Sequence, residues 1–459
     1  MSQTAVDDRY FQTERVWKIL LRIAPPVMLA QLIQALYNIV DSYFVGQYSN
    51  SGLTALSVIF PVQLIITAIA VGTGVGVNTY MARMYAFGKK RAADCTAGTG
   101  MVLAVISWAV FAAAALLLME PYVRTSATSS GAVADAVLYG NIVCVGSLGI
   151  FLESIWTKVH QAGGNMRLPM LAQIAGALTN IVLDLLFVIR FGMGVAGVAW
   201  ATLIAQGLCA VASLLVLLRR MRRMPCEPEK QGVKLPLFHM VAVKRIAQIG
   251  LPSMLQQSLV SLSMMMMQGL VNSFGKVLVA GYTAATKIDS LAMLPNMNIS
   301  NAMSSFTAQN IGAGKYERVK EGLKACLLMV AVFSLLITVI IFLFGNQLLS
   351  LFLDPGDASG AMGYGLAYMH TVSLFYILMG LLFVPNGMLR GAGDMAAFTF
   401  SSMANLFSRV GIAYALVYLT PLGANAIWWS IPAGWLIGAA VSLLRVKSGK
   451  WMRKAVADR

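Results

Sequence analysis

Residues 17–46, WKILLRIAPPVMLAQLIQALYNIVDSYFVG, form an apolar stretch long enough to cross a membrane as one helix. Its polar side chains recur at three- and four-residue steps, which places them on one helical face: Gln34, Tyr37, Asn38 and Asp41. Asp41 is the only charged residue between Arg22 and Arg83. A carboxylate inside a span costs roughly 2.5–3.5 kcal/mol, and such residues usually face a bundle interior or a wet cavity. The pattern favours Asp41 as the ion switch of a transporter, with a purely structural pairing as the alternative.

The composition of the whole chain agrees with this stretch. Its 459 residues are 58% hydrophobic and 11% charged, and the mean hydropathy is +0.74. A soluble domain carries roughly 25% charged residues, so the sequence predicts an all-α polytopic membrane protein with almost no soluble mass. The five cysteines lack zinc or redox spacing, and the chain has no HExxH motif and no nucleophile elbow. These absences argue against an intramembrane enzyme, and we expect no cofactor.

The hydropathy pattern predicts twelve spans. Their approximate positions are residues 17–46, 53–81, 94–119, 131–157, 168–189, 194–218, 246–273, 278–308, 320–345, 361–388, 396–419 and 423–445.

Positive charge is distributed very unevenly between the two sides of these spans. Twenty-nine of the 34 Lys and Arg residues fall on the side of the termini, three (Arg124, Arg190 and Lys276) fall on the other, and Lys287 and Arg409 lie within spans. By the positive-inside rule, both termini are expected in the cytoplasm of a cell with the protein in its inner membrane. Because topology and lipid headgroups account for most of the +16 net charge, the sequence argues against a nucleic-acid partner.

The chain also contains an internal repeat. RIAPPVMLAQ (22–31) aligns with QIGLPSMLQQ (248–257) and AFGKK (86–90) with GAGKY (312–316), both at an offset of 226, while QAGGNM (161–166) aligns with RGAGDM (390–395) at 229. We therefore predict an N-terminal six-helix lobe (1–218), a basic cytoplasmic linker (219–245) and a C-terminal six-helix lobe with a basic tail (246–459). Six is an even number, so the two lobes are parallel repeats, and substrate sites in such folds lie at the repeat interface near mid-depth.

Three motifs, NIVDSYFVG (38–46), GVAGVAWAT (194–202) and TAQNIGAGKY (307–316), resemble the multidrug and toxic compound extrusion (MATE) family. The resemblance covers essentially the whole chain. It implies a V-shaped fold of two six-helix lobes that exports cationic or amphipathic drugs, driven by inward flow of protons or sodium ions. Beyond that coupling ion the resemblance implies no cofactor, and we expect a monomer surrounded by membrane lipid.

The ion-site residues resemble those of DinF-type members of that family. In that subgroup the positions of Asp41, Asn180, Asp184 and Thr202 converge into an ion site, which would be a metal site only under sodium coupling. Gln34, Tyr37, Asn38, Tyr139 and Gln206 then form the surrounding polar network, and the Val198 carbonyl is a further oxygen ligand. Two close carboxylates cannot both stay ionised cheaply, so such a pair retains a proton or attracts a cation. Interhelical hydrogen bonding is the alternative role for Asn180 and Thr202.

The second half lacks an equivalent site, unlike members that resemble NorM. At the 229 offset Asn180 corresponds to Arg409, and the one intramembrane acid of this half is Asp289, two residues after Lys287. Residues two apart do not share a helix face, so Asp289, Lys287 and Arg409 either pair structurally or line the cavity. Glu153 is expected at the cytoplasmic edge of the fourth span. The alternative function is a lipid or lipid-linked oligosaccharide flippase, which would need a markedly cationic cavity to bind the pyrophosphate group.

Overall fold

A computed structural model of the chain describes residues 14–20, 22, 25–34, 50–126, 130–223, 238–353 and 358–452. These residues are helical apart from short turns, and no strand occurs among them. The helices, in chain order, are α1 (Val16–Gln34), α2 (Asn50–Ala86), α3 (Lys90–Ser126), α4 (Ser130–Gly146), α5 (Leu148–Ala162), α6 (Arg167–Asp184), a π-helix (Leu185–Arg190), α7 (Gly194–Arg223), α8 (Met240–Asn272), α9 (Lys276–Gly312), α10 (Tyr316–Ser350), α11 (Ala358–Ser373), α12 (Tyr376–Ala392), α13 (Met395–Leu419) and α14 (Asn425–Lys447).

The twelve predicted spans all have helical counterparts in the described part of the chain. Nine helical segments there are long and apolar enough to cross a membrane, and two bent helix pairs raise that number to eleven. The 33-residue helix α8 occupies the remaining predicted span. The prediction of an all-α, twelve-span membrane fold is therefore confirmed.

The fourth span of each half is broken rather than continuous. In the first half α4 and α5 meet at Ser147 with a bend of 40°, and in the second half α11 and α12 meet with a bend of 52°. The two breaks fall within two residues of the same place in the repeat: Ser147 separates α4 from α5, and Leu374 and Phe375 separate α11 from α12, at an offset of 227–228. The repeat thus includes a hinge-like feature that the apolar pattern did not predict.

Left-handed glycines close equivalent helices in the two halves. Gly88 and Gly314 have φ angles of 72° and 75°, and Gly164 and Gly393 have φ angles of 78° and 75°. At each one, the residue after the glycine donates its amide to the carbonyl five residues back. The four bonds are Lys89 to Met84 (2.9 Å), Asn165 to His160 (2.9 Å), Lys315 to Asn310 (2.8 Å) and Asp394 to Leu389 (2.9 Å). These are Schellman caps, so the repeated sequence motifs encode repeated helix ends.

In the second half, α9 and α12 approach each other through small residues. Gly387 and Gly391 lie one turn apart on α12, and a Cβ added at either would overlap the carbonyl oxygen of Ser300 or Ser304 on α9. The hydroxyl of Ser300 donates to the carbonyl of Phe383 at 2.6 Å. Small residues four apart are the usual means by which membrane helices pack backbone to backbone.

Contacts within the chain divide it into two compact units. One comprises Leu29–Leu255, and the other comprises Arg9–Met28 together with Gln256–Arg459. The borders fall inside α1 and α8 and not in the basic linker, so the lobe boundaries at residues 218 and 246 stay predictions from the sequence.

Candidate ion and substrate site

Helices α6 and α7 pack side by side and carry four of the polar residues that the sequence singled out. Asn180 and Asp184 lie one turn apart on α6, and Thr202 and Gln206 lie one turn apart on α7. Asn180 is 2% exposed and Asp184 is 0% exposed. The Asn180 amide donates to the Thr202 hydroxyl at 3.5 Å, and this hydroxyl donates to the Val198 carbonyl at 3.0 Å. The structure therefore brings Asn180, Thr202 and the Val198 carbonyl together.

Asp184 lies where the helix changes its winding. It is the last residue of α6, and the π-helix Leu185–Arg190 follows directly. Single π-turns inside helices occur frequently at functional sites. A carboxylate buried within a span is costly unless it is paired, hydrated or bound to a cation, so this position has the properties of an ion site.

A small cavity of about 40 Å³ lies beside these residues within the first unit. Its lining residues are Gln34, Glu153, Gln173, Gly176, Ala177, Asn180, Thr202, Ala205, Gln206 and Cys209. The Oε1 atom of Gln206 is buried and has no hydrogen-bond partner among the described residues. A volume of about 40 Å³ holds a few water molecules, and the lining combines apolar walls with several polar groups.

The packing of α6 on α7 at the cavity wall depends on a glycine. A Cβ added to Gly176 of α6 would overlap the Sγ atom of Cys209 on α7. That thiol donates to the carbonyl of Ala172 at 2.9 Å, which ties the two helices together at the wall of the cavity. Gly176 thus permits the close packing that places Asn180 next to Thr202.

Glu153 is a lining residue that the sequence did not assign to the site. It was expected near the cytoplasmic edge of the span, and the structure adds that it lines the cavity, hydrogen-bonded to the side chain of Gln173 on α6. The signal that could have found it was an acid within a span, which is itself a candidate functional residue.

The remaining residues of the predicted ion site are only partly described. Gln34 lines the cavity, whereas Tyr37, Asn38 and Asp41 lie outside the described residues. The convergence of Asp41 with Asp184 therefore stays a prediction. Tyr139 is 5% exposed, and its hydroxyl accepts a 3.0 Å hydrogen bond from Gln63 of α2.

In the second half, Asp289 of α9 is 5% exposed and bonded to both sides of the broken span. Its Oδ2 accepts a bond of 3.0 Å from the hydroxyl of Tyr368 on α11, and its Oδ1 accepts one of 2.6 Å from Tyr376 on α12. One carboxylate therefore links the two helices across their 52° bend.

The two cations near Asp289 have different surroundings. Lys287 is exposed, and its Nζ lies 5.5 Å from the ring centroid of Phe352. Arg409 of α13 hydrogen-bonds the buried Tyr282 and interacts electrostatically with Asp289. The Tyr282 ring stacks on Trp428 with centroids 5.8 Å apart, so these polar groups are embedded in an aromatic core.

The donor atoms of the first-half site are amide, hydroxyl and main-chain oxygens beside a carboxylate. Oxygen donors suit a hard cation such as Na⁺ or a proton better than zinc or copper. Within the part of the chain that the structure describes, no group of three or more His, Cys, Asp or Glu residues is placed to hold a metal ion.

The MatE family model matches residues 26–186 and 252–418, which cover most of both halves. The chain belongs to the MatE family. As a member it is a multi-pass membrane transporter and not an enzyme, and the family resemblance in the motifs is confirmed. The DinF-like rather than NorM-like pattern of its ion-site residues stays a prediction.

Two relatives and one solved structure show how closely this MatE protein resembles known members. The "Probable multidrug resistance protein YpnP" of Bacillus subtilis is 27% identical over 444 residues, covering 96% of this chain and 97% of that protein. The "FAD transporter" of Shewanella oneidensis is 26% identical over 353 residues, covering 74% and 75%. A MOP superfamily transporter from Pyrococcus furiosus, whose binding pocket is described as having reverse polarity, superposes with a TM-score of 0.90 at 25% identity over the full length of both chains.

Proposed function

We propose that this MatE protein is a secondary-active exporter of organic cations or amphipathic drugs, which it exchanges for protons or sodium ions by alternating access. The observation that carries the proposal is the fully buried carboxylate of Asp184, one turn from an asparagine that lines a small polar cavity. The name of the Bacillus subtilis relative, a probable multidrug resistance protein, supports the class of cargo.

In the mechanism we propose, Asp41 and Asp184 take up a proton or sodium ion from outside, and the first span repacks in response. Because two nearby carboxylates cannot both stay ionised cheaply, the pair holds its ion until cargo arrives on the other side. Under sodium coupling, the oxygens of Asn180, Thr202 and Val198 would complete the coordination. Substrate affinity falls in the outward-open state, so the drug leaves as the ion binds.

The gradient of the coupling ion supplies the driving force for this exchange. When the cargo is electrically neutral, one ion that crosses about 150 mV releases ~3.5 kcal/mol, from roughly 2.3 kcal/mol per 100 mV, and since 1.4 kcal/mol corresponds to about tenfold this supports a gradient of a few hundredfold in cargo concentration. One-for-one exchange with a singly charged cargo cation moves no net charge, so the concentration gradient of the ion is then the driving force.

The lining of the cavity favours a cationic cargo over an anionic one. Among the described residues that line it, Glu153 is acidic and none is basic. An anion such as the FAD that the Shewanella oneidensis relative is named for would meet repulsion here. The same polarity argues against a flippase for pyrophosphate-linked lipids, and no relative reported above favours that alternative.

The proposal includes the setting of the protein in the cell. We propose that the protein acts as a monomer in the inner membrane and that both termini lie in the cytoplasm, the orientation that the asymmetry of Lys and Arg supports. A green fluorescent protein fused to the C-terminus should fluoresce, whereas a fused alkaline phosphatase should be inactive; the reverse result would invert the topology.

Efflux from intact cells tests the proposal. Cells that express the wild-type protein should extrude ethidium, and cells with Asp41→Asn or Asp184→Asn at matched expression should lose most of this efflux, because an amide cannot exchange a proton or balance a sodium ion. Undiminished efflux in Asp184→Asn would remove this residue from the coupling mechanism.

A further inference from the structure

A recess of about 400 Å³ lies between the start of α1 and the start of α10, within the second unit. Four of its seven lining residues are charged, and two of these are acids and two are bases, so the recess carries both signs of charge without a net charge. The lining residues are Glu14, Arg15, Val16, Trp17, Arg318, Glu321 and Ala325. Its volume is that of a site for a small molecule or a headgroup.

Arg318 fixes one wall of this recess. Its Nη2 atom donates to the main-chain carbonyl of Glu14 at 2.6 Å, and its Nε atom donates to Oδ1 of Asn310 at 3.3 Å. The chain that enters α1 is therefore anchored on the first turn of α10, and the recess between the two helices is a built feature of this unit.

The other charges of the recess keep their capacity to bind. Arg15 and Glu321 are exposed, and neither side chain forms an ion pair or hydrogen bond with another described residue. The Oε2 atom of Glu14 has no hydrogen-bond partner in the described part of the chain, and its Oε1 atom is 3.9 Å from the nearest guanidinium nitrogen of Arg22. A guanidinium and two carboxylates therefore face one recess without satisfying each other.

The recess lies at the depth where the apolar part of each helix begins. Trp17 is exposed and opens the apolar stretch of α1, and tryptophan is enriched at the level of the lipid headgroups. Ala325 opens the apolar stretch of α10, in which residues 325–350 include no charged side chain. The charged recess is therefore at the membrane interface.

An apolar ridge on α10 continues from the recess into the membrane. Glu321 and Ala325 are followed at three- and four-residue steps by Leu328, Val332 and Leu335, which places all five on one face of the helix. The three larger apolar side chains are at least 60% exposed. A phospholipid with its headgroup in the recess would lay its acyl chains along this ridge.

We propose that the recess binds a membrane phospholipid with an ethanolamine phosphate headgroup. The phosphate pairs with Arg15 beside the anchored Arg318, and the ammonium donates hydrogen bonds to Glu321 and Glu14. Phosphatidylglycerol lacks the ammonium, so its negative charge meets the two carboxylates without compensation, and the choline group of phosphatidylcholine has no N–H to donate. The inference is independent of the exported cargo and of the coupling ion.

Native mass spectrometry of the full chain, mixed with equal amounts of phosphatidylethanolamine and phosphatidylglycerol, tests this selectivity. The wild-type protein should retain more phosphatidylethanolamine. Glu321→Gln should lower the ratio of the two adducts about two- to fivefold, the size of one exposed ion pair, and Glu321→Lys should lower it further because a lysine repels the ammonium. The matched control is Glu317→Gln, since Glu317 is an exposed acid of α10 that pairs with Lys320 outside the recess, and its ratio should stay at the wild-type value. Equal adducts in the wild type, or a ratio that Glu321→Lys leaves unchanged, would overturn the proposal.

Photo-cross-linking of the wild-type protein gives a second readout that needs no variant. Phosphatidylethanolamine with a diazirine at the top of one acyl chain should label the α10 peptide around Ala325 and Leu328, as mapped by mass spectrometry. Excess unlabelled phosphatidylethanolamine should suppress this labelling, and the same excess of phosphatidylglycerol or phosphatidylcholine should not. Labelling spread evenly over the exposed apolar helices, or suppression by all three lipids alike, would contradict a selective headgroup site.

Discussion

At the scale of the residue, Asp289 fixes the geometry of a broken helix. Tyr368 and Tyr376 lie on opposite sides of the 52° bend, and each donates a hydrogen bond to a different oxygen of the Asp289 carboxyl group. Because all three residues are nearly fully buried, water cannot replace either bond without entering the core. Asp289 thus holds α11 and α12 at a defined angle.

Removal of one of these hydroxyls should destabilise the second half. Tyr376→Phe deletes the 2.6 Å bond and leaves a buried carboxyl oxygen without that donor, at an expected cost of about 1–3 kcal/mol. The measurement is the thermal unfolding midpoint of the detergent-solubilised protein, which should fall. Tyr364→Phe is the control, because Tyr364 is an exposed residue of α11 and its loss should have little effect. Equal midpoints for the two variants would show that the Asp289 bonds do not stabilise the bend.

At this scale the sequence predicted which residues share a face of one helix better than it predicted which residues of different helices lie together. The four-residue spacing placed Asn180 with Asp184 and Thr202 with Gln206, and the structure brings Asn180 and Thr202 together. It did not place Glu153 in the cavity, because periodicity gives the face of a helix but not the neighbour that this face meets. The role of the predicted ion-site residues stays a prediction.

At the scale of the element, glycines decide how closely the helices pack. In α2 and α5 of the first half, a Cβ at Gly74 would come 2.9 Å from the Lys158 side chain. In α9 and α12, their equivalents in the second half, the glycine is on the other helix, as Gly387 against the Ser300 carbonyl. Both halves of the repeat thus keep the close approach of these two helices, but the glycine that permits it lies on the first helix of the pair in one half and on the second helix in the other.

Gly387→Ala should therefore disrupt the packing of α9 on α12. The added Cβ would overlap the carbonyl oxygen of Ser300, which cannot move without the helix, so we expect overpacking to cost about 1–3 kcal/mol or more. Folded yield and unfolding midpoint in detergent measure the effect. Gly411→Ala is the matched control on α13, where an added Cβ meets open space and should be tolerated. A Gly387→Ala protein as stable as the Gly411→Ala protein would contradict the packing argument.

Helix ends were predictable from the sequence, whereas helix breaks were not. The glycine motifs at 86–90, 161–166, 312–316 and 390–395 mark Schellman caps because a left-handed residue favours glycine. The break near Ser147, the break before Tyr376 and the π-helix after Asp184 have no proline at the point of change. Tertiary packing determines these irregularities, and the local sequence therefore does not predict them.

At the scale of the whole molecule, the sequence predicted the number of spans and the division into two repeated halves, because both depend on patterns that extend over the whole chain. Span number follows from hydropathy, and the internal repeat follows from offsets of 226 and 229 that reappear in the capping glycines. The family match to residues 26–186 and 252–418 follows the same two halves. The sequence does not identify the coupling ion, because the same oxygen atoms can bind a proton or a sodium ion. Only a transport measurement can distinguish the two ions.

The exchange of ion for cargo is tested most directly by uptake of tetraphenylphosphonium into proteoliposomes, with proton and sodium gradients imposed independently. The account predicts that the wild-type protein accumulates the cation only when an opposing gradient of one of the two ions is present. Asp184→Asn, reconstituted at equal density, should lose this gradient-driven accumulation, and the exposed-site variant Glu120→Gln should retain it. Accumulation that ignores both gradients, or that persists in Asp184→Asn, would contradict the account.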